Sequence, residues 1–145
     1  MSKISIYLNF NRKTEEAFSF YKEVFQTEFV GELMRMGEVP PHEGMSELNE
    51  EDKNLIMHVA LPMLGGVQLM GTDATESMGM NVKFGNNIYI NLEPDTRAET
   101  EKLFSALSES GKIETPLQEM FWGDYFGSLT DKFGVQWMFN CVEKK

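Results

Sequence analysis

The sequence predicts an α+β domain made of two βαβββ modules that form a curved mixed sheet around a shared pocket. Three observations carry this prediction. Two short motifs recur in the same order in both halves, each half holds one amphipathic helical pattern, and short alternating apolar runs fill most of the rest. The 145 residues fit a single domain, 1–145, long enough to bury a core without covalent staples.

The first recurring motif is Ile6-Tyr7-Leu8-Asn9-Phe10 against Ile88-Tyr89-Ile90-Asn91-Leu92. The second is Gly66-Val67-Gln68-Leu69-Met70 against Gly134-Val135-Gln136-Trp137-Met138. The spacing between motifs is about 14 residues longer in the first half, and 37–53, with Pro40-Pro41 and a run of acids, reads as the insertion. The first module therefore spans about 3–71, a Gly-, Ser-, Met- and Asn-rich linker 72–86, and the second module about 87–141.

The helices fall where the repeat requires them. In 14–26, Ala17, Phe18, Tyr21, Val24 and Phe25 make one helical face, with Thr14 as the expected cap and Glu15 and Glu16 in the first turn. In 96–110, Leu103, Phe104 and Leu107 mark the core face, Thr96 and Glu99 have capping-box spacing, and Gly111 is the expected stop. Strands are predicted at 28–36, 55–61, 66–71, 113–119, 124–130 and 135–141, with Gly65-Gly66 as a hairpin turn.

Alternation then divides each strand into a face for its helix and an opposite face. Ile6, Leu8, Phe10, Met57, Val59, Leu61, Val67, Leu69, Ile88, Ile90, Leu92, Val135, Trp137 and Phe139 are assigned to the helices. The opposite face collects Ser, Tyr, Asn, Gln, Met and one His, a lining that small-molecule sites use more than plain solvent-facing sheets do. The candidate ligand-binding residues are Tyr7, Asn9, His58, Gln68, Tyr89, Asn91, Trp122, Asp124 and Gln136. His58 and Asp124 are the candidates for proton handling, histidine being suited to general-base work near neutral pH.

Composition bounds the partners. A net charge of −10 disfavours nucleic acid and favours a cationic ligand, although Glu43, Glu47, Glu50, Glu51 and Asp52 together read as a solvated loop. Cys141 has no partner for an intrachain disulfide and no basic neighbour before Lys144 to activate it. The start, MSKISIYLNF, lacks the apolar region of a signal peptide, and no run is long enough to span a bilayer, so the expected location is cytoplasmic. There is no Gly-x-Gly-x-x-Gly, phosphate-binding loop or Gly-x-Ser-x-Gly elbow.

Two βαβββ halves of this length resemble the vicinal oxygen chelate superfamily of glyoxalase I, extradiol dioxygenases and the bleomycin- and fosfomycin-resistance proteins. Three stretches are similar to its PhnB-like branch: Tyr7-Leu8-Asn9-Phe10 with Ala17 and Phe20-Tyr21; His58-Val59-Ala60 with Gly66; and Phe121-Trp122-Gly123-Asp124-Tyr125-Phe126-Gly127 with Asp131-Lys132-Phe133-Gly134-Val135-Gln136-Trp137. The resemblance implies a glyoxalase-like fold and a homodimer, for which Phe20 and Phe29 are the candidate contacts.

In the superfamily's metal enzymes, His or Glu on the first and last strand of each half holds a divalent ion. Carried onto this chain, those positions fall at Ser5, Met70, Asn87 and Met138, and a one-residue shift gives only Ile6, Leu69, Ile88 and Trp137. The expectation is therefore no metal and no cofactor. Some members carry a methyltransferase name, but nothing here resembles an S-adenosylmethionine site. The resulting reading is a PhnB-like protein that binds a cationic or aromatic small molecule without the usual ion. The alternatives are a superfamily enzyme of lyase, isomerase or transferase type, using His58, Asp124 or an unconventional metal, and a dimeric scaffold without ligand.

Overall fold

The computed structural model describes residues 2–40 and 48–144, and it divides into two compact units, Met1–Lys83 and Phe84–Lys145. His42, Glu43 and Glu47 lie outside the described residues. Unit 1 runs β1 (Ile6–Phe10), α1 (Thr14–Phe25), β2 (Met34–Arg35), β3 (Ile56–Pro62) and β4 (Gln68–Asp73). Unit 2 runs β5 (Ile90–Leu92), α2 (Arg97–Ser108), β6 (Lys112–Glu119), β7 (Tyr125–Thr130) and β8 (Gln136–Cys141). Each unit forms its own four-stranded mixed sheet, in the orders β1-β4-β3-β2 and β5-β8-β7-β6, with a parallel first pair and antiparallel pairs after it. The shared strand order is the duplication seen in three dimensions.

In unit 1, Ala17, Phe18, Tyr21 and Val24 are buried along one face of α1, as their helical spacing requires. They meet Phe10, Val59, Leu61 and Leu69 in the core. The predicted cap is corrected here. Lys13, without a side-chain cap, precedes the helix, and the Asp73 carboxylate at the end of β4 accepts from the Thr14 amide at 3.2 Å and its hydroxyl at 2.8 Å. The same carboxylate accepts from the Ile56 amide at 2.9 Å. The 72–86 segment is thus partly structural: β4 runs through Asp73, and Asp73 and Thr75 are buried.

Asp52 departs from the solvated loop expected for it. It is buried, and its two oxygens accept from the Arg12 guanidinium at 2.6 Å and the Ser77 hydroxyl at 2.7 Å. Those bonds hold its carboxyl below the usual carboxylate range. Of the strand predicted at 28–36, only Met34–Arg35 forms a ladder, against His58 and Ile56, while single amide bonds run from Val30 to the Ala60 carbonyl and from Met36 to the Leu55 carbonyl, each 2.8 Å. Gly65 and Gly66 both have positive φ, the conformation a tight hairpin demands. Val67, just past that turn, is 38% exposed and does not pack on the helix, and Met57 is likewise exposed near the start of β3.

In unit 2, Leu103, Phe104 and Leu107 of α2 are buried together with Ile90, Leu92, Leu129, Trp137 and Phe139, the Phe104 ring edge-on to Phe139. Thr96 caps α2 as predicted, accepting from the Glu99 amide at 3.1 Å. Gly111 is not the left-handed stop; Ser110 takes positive φ instead. Gly111 is needed for space, since a Cβ there would lie 2.4 Å from the Thr130 carbonyl oxygen. The Asp131-x-Phe133-Gly134-x-x-Trp137 motif closes the β7–β8 turn. The buried Asp131 carboxylate accepts from the Phe133 and Val135 amides and from the Trp137 indole, at 2.8, 3.0 and 2.9 Å. A net of three N–H donors on one carboxylate fixes both the turn and the largest core side chain.

The matched first strands are not in matched register. Leu69 pairs with Ile6, whereas Trp137, its counterpart, pairs with Ile90 rather than Ile88. The offset is two residues, so each side chain keeps its face while moving along the sheet. Ile88 therefore falls ahead of β5 and is 74% exposed, correcting its assignment to the core.

Candidate functional site

In unit 1 the ladder rows place Tyr7, Met70 and Ala60 side by side, and Asn9 beside Thr72. These rows belong to the face turned away from α1, because the alternating residues Leu8, Gly71 and Val59 form the row that meets Phe18 of the helix. Tyr7 and Asn9 are exposed, and His58 and Gln68 half-buried. In this unit the structure brings two of the predicted residues into contact: the Tyr7 hydroxyl lies 3.3 Å from His58 Nδ1, with ring centroids 5.9 Å apart. Burial pushes the Tyr7 phenol up, opposed by its hydrogen bond with Thr72. It remains a neutral hydroxyl in the physiological range, able to donate to one group and accept from another.

In unit 2 the face away from α2 carries Asn91, Met138 and Ser128 in one row and Asn140 beside Phe126 in the next. Gln136 is buried. With its amide oriented by its hydrogen bonds, its nitrogen donates to the Gly85 and Ile88 carbonyls at 2.9 and 3.2 Å, and its oxygen lies 3.1 Å from the Tyr89 hydroxyl. The phenolic proton goes to the shorter acceptor, Glu114 Oε1, at 2.7 Å. The bond to Glu114, with burial and charge adding to it, raises the Tyr89 phenol above its ordinary value.

Asp124 accepts from the Asn140 amide at 3.1 Å, and Lys144 approaches it at 3.9 Å. Trp122 stands half-exposed at the β6–β7 turn, edge-on to Phe126. Phe121 beside it is 96% exposed. Gly123 in this turn has positive φ, which explains the glycine of the Trp-Gly-Asp motif. Phe20 and Phe29, the proposed dimer contacts, are half-buried, Phe20 against Tyr21 and Phe29 beneath the Lys22 ammonium.

The residue that sequence reasoning missed is Glu114. It accepts from Tyr89 through one oxygen and from the Thr130 hydroxyl through the other, at 3.1 Å. Pairing shifts between Ile113 and Thr115, leaving Glu114 as the extra residue of a bulge. Pro116 in the same strand was the available signal, because proline inside a strand marks an edge or a bulge.

The four positions that the resemblance matches to metal ligands offer a poor donor set for a divalent ion. Ser5 and Asn87 are exposed neutral oxygen donors, and Met70 and Met138 offer thioethers, which hard divalent cations take poorly. Among the described residues no group of three or more His, Cys, Asp or Glu could hold a metal. Among them, too, no helix is long and apolar enough to cross a membrane.

A family model described as 3-demethylubiquinone-9 3-methyltransferase matches residues 2–139. Protein YjdN of Escherichia coli K12 is 29% identical over 98% of this chain and 97% of its own length. Among solved structures, protein PA1353 from Pseudomonas aeruginosa is 34% identical, with full coverage of both chains and a TM-score of 0.83. A PhnB protein from Bacillus cereus, titled a putative 3-demethylubiquinone-9 3-methyltransferase, is 28% identical over 97% of this chain and 99% of that one, with a TM-score of 0.74. A glyoxalase/bleomycin resistance protein/dioxygenase family enzyme from Burkholderia phytofirmans shares the fold at 19% identity and a TM-score of 0.62, covering 94% of this chain and 97% of that one. With nearly its whole length matched, the chain belongs to the PhnB-like family that this model describes, and it has the fold seen in glyoxalase/bleomycin resistance/dioxygenase proteins.

Proposed function

We propose that this chain binds a small molecule through the polar and aromatic side chains of its non-helix sheet faces, without a divalent ion. The observation that carries the reading is the Tyr7–His58 pair. A neutral phenol and an imidazole are held 3.3 Å apart, with Tyr7 half-exposed, in a sheet whose other face is closely packed. Such a pair adds little to the core and offers oriented donors and acceptors to a ligand. The donor set at Ser5, Met70, Asn87 and Met138 supports the metal-free part of the reading. The net charge of −10 and the neighbouring Met34 and Met70 favour a cationic or aromatic ligand.

The test is native mass spectrometry and calorimetry with aromatic and cationic small molecules, on protein stripped of metal by chelation. Binding should survive chelation, and Tyr7→Phe and His58→Ala should each weaken it about tenfold, the effect of losing one hydrogen bond of roughly 1.4 kcal/mol. Binding that requires a restored divalent ion would overturn the reading.

The same pair favours a second reading, an enzyme in which His58 takes or gives a proton while Tyr7 orients it. Asp124 suits that role less, since Asn140 and Lys144 already engage it. The methyl transfer in the family model's name would need a methyl donor. The β1–α1 turn, Asn11-Arg12-Lys13, has no glycine to bring backbone amides close to a nucleotide-like one.

A further inference from the structure

In unit 2 an open groove of about 850 Å³ lies between the segment before β5, the turn after α2 and the β6, β7 and β8 strands. Its walls include Phe84, Asn86, Lys112, Glu114, Thr130 and Gln136. Lys112 and Glu114 stand two residues apart on β6, and opposite charges so placed are able to pair. They do not. The bulge at Glu114 turns its carboxylate toward Tyr89 and Thr130, and Lys112, paired in register with Thr130, forms no ion pair among the described residues. The groove thus holds an oriented carboxylate and, in Lys112, a separate ammonium, while its other lysine, Lys132, lies over the Phe133 ring.

Glu114 still has acceptor capacity, since a carboxylate offers about four lone-pair sites and each oxygen receives one hydrogen bond here. Tyr89 and Thr130 fix its orientation, and the buried Gln136 amide anchors the segment before β5. Phe84, 48% exposed, supplies an apolar wall. It lies so close to Gly134 that a Cβ there would be 2.7 Å from the ring. Bulges that re-aim one side chain are concentrated beside functional sites.

We propose that this groove binds a small zwitterion of the α-amino-acid class, its ammonium on Glu114, its carboxylate on Lys112 and an aromatic side chain against Phe84. The proposal rests on the reading that the sheet faces take a small molecule, and it names the chemistry of that molecule. It is tested by a thermal-shift scan of the standard α-amino acids on the intact chain, followed by calorimetry with L-phenylalanine, phenethylamine and 3-phenylpropionate.

L-Phenylalanine should bind, and each analogue, lacking one charge, should bind at least about tenfold more weakly. Glu114→Gln should abolish the advantage of L-phenylalanine over 3-phenylpropionate, and Lys112→Met its advantage over phenethylamine. Both positions lie on an exposed edge strand, and unchanged melting temperatures without ligand will show that the variants fold. No amino acid shifting the melt, or equal binding by wild type and both variants, would overturn the proposal. So would a ligand that needs Tyr7 and His58 but ignores Glu114→Gln and Lys112→Met, and that result would leave the Tyr7–His58 reading intact. Amino-acid binding lost in Glu114→Gln and unchanged in Tyr7→Phe would support this groove as the sheet-face site for the zwitterion, separate from the Tyr7–His58 pair.

Discussion

In unit 1 the ring of Phe18 lies over Gly71 of β4, where a Cβ would come within 2.5 Å of it. In unit 2 the ring of Phe104 lies over Gly127, one strand further along the sheet, where a Cβ would come within 2.9 Å. The ladder rows make the shift explicit: Leu8–Gly71–Val59 in one unit, Leu92–Phe139–Gly127 in the other. Each row keeps one bare position beneath a helix phenylalanine and fills the others. What the two units share is a bare position under a helix phenylalanine, not the strand that carries it, as expected where close packing tolerates different side-chain arrangements.

The largest effects should come from the rings themselves. Phe18→Ala and Phe104→Ala should each cost about 3–5 kcal/mol in denaturant unfolding. Gly71→Ala should cost about 1–3 kcal/mol through overpacking, and much less in a Phe18→Leu background. Additive losses in that double variant would mean the glycine is there for another reason.

A second contrast lies in the buried carboxylates. Asp73 ties a helix start to β3, whereas Asp131 ties a turn to a tryptophan. Asp73→Ala and Asp131→Ala should each cost about 2–3 kcal/mol, because several buried donors lose their acceptor. The damage should differ in place: faster amide exchange at Thr14 and Ile56 in the first, and at Phe133, Val135 and the Trp137 indole in the second. Exchange rising equally in both units for either variant would show that the two braces are not local.

The smallest effects should fall on the opposite face. Asn9→Ala and Asn91→Ala should change stability by no more than about 0.5 kcal/mol, while Ile90→Ala costs about 2 kcal/mol or more. Thermal melts check this, and asparagine variants as unstable as the isoleucine variant would reverse the face assignment.

The face assignment was legible because period-two alternation is a local property. Tyr7, Asn9 and Asn91 are on the surface and Phe10, Ile90 and Leu92 in the core, as the pattern of each strand states. Register was not legible, because two motifs that match in sequence carry no information on which rung they occupy. Ile88 and Val67 went astray for that reason and its neighbour, the unknown point at which a strand begins. The trans cap by Asp73 and the Arg12–Asp52 pair join positions 59 and 40 residues apart, and nothing local announces them. Asp131 stood in a motif whose spacing was noticed, yet its service to three N–H groups appears only when the turn is built. Glu114 escaped because a bulge is a departure from the alternation by which strands are read.

The irregular β6 has a consequence for how the folded protein behaves at high concentration. It is an outer strand whose pairing breaks twice, at 113–115 and 115–118, and Pro116 between the breaks has no amide hydrogen to donate. An incoming strand from another molecule would find no continuous row of donors and acceptors, and would meet the charges of Lys112, Glu114 and Glu119 along the same stretch. Along this margin the native fold is a poor template for fibrous growth, and the distortion that aims Glu114 serves colloidal stability as well.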